Sequence, residues 1–137
     1  MRTDLHLVFA GQCSEAFAFY EKTFNSKIQM SMKYSEAPGP TPVPDDFKDK
    51  VMHTSMPLGS LLLMGCDSPP GRGAPMGGFQ VSVLLTDEAE VKRIYAELSE
   101  GGSVQMPLAP TFWSPLFGMC TDKFGVAWMV GMPGPQM

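Results

Sequence analysis

One order of elements occurs twice in this chain, and that repetition limits the fold more than any other feature of the sequence. Leu5, Leu7 and Phe9 alternate with His6, Val8 and Ala10, the period of a half-buried strand, and Gly11 ends the run. Ser14 is placed to cap a helix, with Glu15 in its first turn. Ala16, Phe17, Tyr20 and Phe24 then recur at helical spacing and define one apolar face, which Asn25 and Ser26 close. Lys27–Ser35 reads as extended, with Ile28, Met30 and Met32 alternating. Val51–Met56 and Ser60–Cys66 make two more strands about a short turn at Gly59. Past the middle the order returns. Phe79, Val81, Val83 and Leu85 alternate with Gln80, Ser82, Leu84 and Thr86. A helix opens at Asp87, with Glu90 spaced as in a capping box, and buries Val91, Ile94, Tyr95 and Leu98. Gly101 and Gly102 stop it. Val104–Ala109, Pro115–Cys120 and Val126–Val130 follow as strands, the last two joined by a turn over Asp122 to Gly125.

Each half therefore reads β-α-β-β-β. Gln80 follows His6 by about the same interval as Asp87 follows Ser14, so the pattern repeats although the residues do not. The expected fold class is α+β: duplicated βαβββ modules whose curved sheets flank a cleft, one helix on the back of each. The first module spans 1–67 and the second 78–137, in a single domain of 137 residues. Prolines and glycines gather over Ala37–Pro44, over Ser68–Gly78 and at the tail; the middle stretch makes 68–77 the linker.

Composition narrows the partners. Apolar residues are 44% of the chain, enough for a sizeable core, and the net charge is −4 without any Lys/Arg cluster. Nucleic acid and anionic membrane surfaces are therefore not expected partners. No apolar run approaches a membrane span and no signal-like segment precedes Leu5, so the expected location is cytoplasmic. Three cysteines with no CxxC spacing argue against a disulfide framework or a thiolate zinc site.

The pleat sorts the candidate site residues. If Leu5, Leu7 and Phe9 face the helix, then His6 faces the cleft, and by the same reasoning so does Gln80 in the second half. His53 joins them if its strand turns that face inward. Among the C-terminal aromatics, Trp113 and Phe117 are candidates for the pocket wall. The acidic residues of the second helix and of Asp45, Asp46 and Asp49 read as solvated surface, and Asp122 as turn chemistry. Twelve methionines would give soft, adaptable walls.

Two segments carry a family resemblance. "FAGQCSEAFAFYEKTF", Phe9 to Phe24, and "TFWSPLFGMCTDKFGVAWMV", Thr111 to Val130, resemble the opening and closing motifs of the PhnB-like branch of the vicinal-oxygen-chelate superfamily of glyoxalases, bleomycin-resistance proteins and dioxygenases. The resemblance implies a small-molecule cleft, frequently holding a divalent metal through His and carboxylate ligands on the first and last strands of each half. In this chain Met64 and Met129 fall where the carboxylates would be. Thioethers suit soft cuprous ions and not the divalent ions of such enzymes, so only His6 remains as a weak metal candidate and no cofactor is expected.

The leading functional expectation is a PhnB-like small-molecule-binding protein, holding a partly apolar ligand at His6, His53, Met64, Gln80, Trp113, Phe117 and Met129. The alternatives are an isomerase or lyase of the glyoxalase type, metal-dependent or with His6 or His53 as general base, and a drug-sequestering resistance protein. PhnB-like sequences often bear a methyltransferase label. This one has no glycine-rich strand-turn-helix motif to cradle S-adenosylmethionine. Related domains usually pair, which implies a homodimer.

Overall fold

The computed structural model describes residues 1–40 and 43–135; Thr41 and Pro42, within the Ala37–Pro44 loop, and the last two residues lie outside the described residues. Two compact units divide between Pro75 and Met76. Each is a βαβββ module, and together they give the α+β, duplicated architecture.

In the first unit, β1 (Leu5–Phe9) leads into α1 (Cys13–Phe24), followed by β2 (Met30–Lys33), β3 (Val51–Leu58) and β4 (Leu61–Asp67). The sheet order is β1-β4-β3-β2, with β1 parallel to β4 and the other pairs antiparallel. The extended run after α1 is shorter than Lys27–Ser35. The register slips after Met32, and Tyr34 leaves the sheet for a 3-10 turn (Tyr34–Glu36) in which its ring packs on Phe47. Helix α1 buries Cys13, Ala16, Phe17, Tyr20 and Thr23, so Cys13 and Thr23 widen the expected stripe while Phe24 is only half-buried. The helix lies directly over Gly65 of β4, where a Cβ would stand 2.5 Å from the Phe17 ring.

The start of α1 differs from expectation. Ser14 is already inside the helix, and Gln12 at the cap position makes no side-chain bond. The capping group comes from the end of β4, the strand paired with β1. Asp67 is the register partner of Phe9, so its side chain reaches the point where the chain turns from β1 into α1. Its Oδ1 accepts the N–H groups of Gly11 and Cys13, each at 2.9 Å, and its Oδ2 accepts that of Val51 at 3.0 Å. The Asp67 carbonyl accepts a hydrogen bond from the Tyr34 hydroxyl at 2.7 Å.

In the second unit, β5 (Val81–Leu84), α2 (Glu88–Ser99), β6 (Ser103–Ala109), β7 (Phe117–Thr121) and β8 (Ala127–Gly131) repeat the arrangement in the order β5-β8-β7-β6. Here the cap is local: Asp87 accepts the Ala89 N–H at 3.0 Å. Glu90 does not complete a capping box, since it is paired with Arg93 at 2.6 Å. Val91, Ile94, Tyr95 and Leu98 are buried, as their spacing predicts. Asp122 holds the β7–β8 turn through the N–H groups of Phe124 and Val126, and also accepts the Trp128 indole N–H at 2.9 Å. No helix among the described residues is long and apolar enough to cross a membrane.

Candidate functional site

In β1, Leu7 and Phe9 are buried beneath α1 while His6 and Val8 are exposed on the opposite face. Strand register then fixes the neighbours of His6. Met64 is its partner on β4, Ser55 is the partner of Met64 on β3, and Met30 is the partner of Ser55 on β2. A second row, two residues along each strand, contains Val8 beside Cys66 and His53 beside Met32. The helix-free face of this sheet thus carries two histidines and three methionines, and Met30 on the edge strand is 41% exposed.

His6 and His53 come together across β4, with ring centroids 5.9 Å apart and planes inclined by 29°. Partial burial lowers the His6 pKa from its ordinary value of 6.5, and the neighbouring His53 lowers it further. A neutral imidazole on this face is a proton acceptor at neutral pH. The unfolded chain takes up the His6 proton before the folded one does, so the contribution is complete above pH 6.5 and declines as pH falls below it. An NMR titration should show His6 titrating below 6.5, and His53→Gln should raise its midpoint only part of the way, because burial is the larger cause. An unchanged midpoint in that variant would refute the coupling. Burial also pushes the Cys66 thiol up, with Asp67 adding to the shift, and Cys120 is pushed up to about 11, so both remain protonated thiols at neutral pH.

On the second unit the helix-free face carries Ser82, Met129, Met119 and Met106 in one row. Ser82, and not Gln80, lies opposite Met129, so the counterpart of His6 across the repeat is displaced by one pleat period from the expected Gln80. The strand begins only at Val81, which leaves Gln80 on the same face but ahead of the ladder. There Gln80 helps line a hollow of about 740 Å³ with Met76, Phe79, Thr121, Ala127 and Met129.

The aromatic candidates are placed differently. Trp113 is half-buried in the β6–β7 loop, edge-on to both Phe112 and Phe117 at 4.8 and 5.4 Å, and does not line the hollow. Phe117 is only 1% exposed. Its ring lies under Trp113 and against Gly131, where a Cβ would stand 3.0 Å from Cδ2, so Phe117 is a packing residue as folded. Met30, Met32, Met106 and Met119 were not singled out from sequence. The alternation of Met30 and Met32 was visible, but only cross-strand register puts the four beside the histidines and Met129.

A divalent metal of the kind this fold often holds needs three or four nitrogen and oxygen donors about one point. Among the described residues, no three His, Cys, Asp or Glu side chains gather in that way. The thioethers that flank His6, His53 and Ser82 are soft donors, so the residues present do not fit such an ion.

The chain is 30% identical to protein YjdN of Escherichia coli K12, over 96% of this chain and 95% of that one. The solved structure of protein PA1353 from Pseudomonas aeruginosa superposes with a TM-score of 0.88 at 40% identity, covering 97% of this chain and 98% of the other. The PhnB protein from Bacillus cereus superposes with a TM-score of 0.79 at 27% identity, covering 96% and 99%. The Glyoxalase/Bleomycin resistance protein/Dioxygenase superfamily model matches residues 4–130, and the chain belongs to that superfamily.

Proposed function

We propose that this chain is a PhnB-like small-molecule-binding protein that holds a partly apolar ligand against the helix-free face of its second sheet, without the family's complete divalent-metal ligand set. The hollow in the second unit carries the reading. It is an open hollow of about 740 Å³, of small-molecule size, and it combines apolar Met76, Phe79 and Met129 with the amide of Gln80 and the hydroxyl of Thr121. Apolar walls supply affinity for a nonpolar body, and the two polar groups orient a carbonyl or hydroxyl on it. The methionine side chains let the walls adjust to ligands of different shape.

The test uses the anionic apolar dye 1-anilinonaphthalene-8-sulfonate and the native protein. The expected result is saturable dye binding that Gln80→Trp, which fills the hollow from a position outside the strands, weakens by about tenfold or more. Equal binding by that variant would count against the hollow as the site. The same sample should contain well under one equivalent of zinc, nickel, manganese or iron. A full equivalent of any of them would replace this reading with a metalloenzyme. We also propose a homodimer; sedimentation at a single-chain mass of 14.9 kDa would overturn that part.

A further inference from the structure

The helix-free face of the first sheet is unusual in its donors. Strand order places β4 between β1 and β3; Met64 is the register partner of His6 and of Ser55, so His53, two residues before Ser55, lies diagonal to Met64 and within reach of a long side chain. Met32, the register partner of His53, approaches from β2. Cross-strand partners hold their Cβ atoms about 4.5–5.5 Å apart, well within the reach of a flexible thioether. The separation of the rings is also informative. An ion bound about 2 Å from one nitrogen of each imidazole lies roughly 3 Å from each ring centre, so two rings on one ion stand up to about 6 Å apart. The observed 5.9 Å, with the planes inclined by 29°, falls within that reach.

We infer that this face binds a single soft monovalent cation, Cu(I) or its surrogate Ag(I), through His6, His53 and Met64, with Met32 as a fourth donor. All of these ligands come from one sheet. The divalent sites to which the fold is suited draw His and carboxylate ligands from both halves, so this is a different donor set selecting a different ion. Two imidazoles and two thioethers are neutral, and they match a polarisable singly charged ion that accepts low coordination numbers. Magnesium, by contrast, demands oxygen donors that the face does not supply, and zinc takes imidazole, thiolate and carboxylate ligands but not thioethers. Binding requires no redox step: the ion enters as Cu(I), exchanging the ligands of its carrier for these side chains.

The inference is independent of the hollow in the second unit, and its test does not use the dye. Reduced protein is titrated anaerobically against the coloured Cu(I) complex of bicinchoninate. The expected result is withdrawal of one equivalent of Cu(I), undiminished by excess Zn(II). His53→Ala and the nearly isosteric Met64→Leu should each weaken it by about tenfold or more, and Cys66→Ser should leave it unchanged. Because a variant can lose its fold, the wild-type chain supplies a second readout: Ag(I) should shift the ring signals of His6 and His53 and the methyl signal of Met64 together in NMR spectra. Failure to withdraw Cu(I), full binding by Met64→Leu, loss in Cys66→Ser alone, or Ag(I) shifts elsewhere would each overturn the assignment.

Discussion

Asp67→Ala is expected to destabilise the first unit by on the order of 3–6 kcal/mol. The carboxylate is buried and accepts three backbone N–H groups, from Gly11, Cys13 and Val51. Truncation leaves all three donors facing a small void, and each unpaired buried donor costs about 1–3 kcal/mol. Asp67→Asn separates charge from connectivity. One oxygen can still serve Gly11 and Cys13, while an amide NH₂ is turned toward the Val51 N–H, so the loss should be smaller, about 1–3 kcal/mol. Urea denaturation followed by far-UV circular dichroism reads both variants. A loss below about 1 kcal/mol in Asp67→Ala would mean that water or a rearranged cap replaces the carboxylate.

Leu7→Ala should cost about 2–5 kcal/mol, whereas His6→Ala should cost under about 1 kcal/mol. Leu7 is fully buried beneath α1, and removing its side chain opens a cavity that the surrounding helix and sheet close only in part. His6 is exposed on the opposite face, where its loss leaves no packed void. The two residues are adjacent in the chain, so propensity and position are nearly matched, and the comparison isolates the facing of the strand. Thermal melts of the two variants decide it. A benign Leu7→Ala beside an unfolded His6→Ala would invert the faces of β1 and remove His6, His53 and Met64 from any site.

Legibility in the sequence followed the range of the interactions. The alternation of Leu5 to Phe9 and the helical spacing of Val91, Ile94, Tyr95 and Leu98 are local signals, and they located the strand face and the helix stripe correctly. Asp122 was readable as a turn residue because its main partners are two and four residues away. The role of Asp67 was not readable: its partners Gly11 and Cys13 lie more than fifty residues earlier, and Ser14 offered a plausible local cap instead. The pairing of His6 with Met64, and the approach of His53 across β4, likewise depend on register, which periodicity does not determine. The same cause displaced Gln80 relative to Ser82. Phe117 fell on the anticipated face by parity, but parity carries no information about Trp113 folding over it.

The two helix caps also differ in when they become available. Helix α2 receives its capping carboxylate from the residue immediately before it, so its first turn is completed as soon as it is made. Helix α1, twelve residues long, has no such local partner and is too short to be stable alone in water. Its missing carboxylate is the last residue of β4, and closing that distance requires the whole intervening chain. On a ribosome the nascent first unit therefore waits, with the apolar stripe of α1 uncovered, until Asp67 has left the exit tunnel. During that interval the N-terminal segment depends on dilution or on chaperones to keep it from associating with other chains.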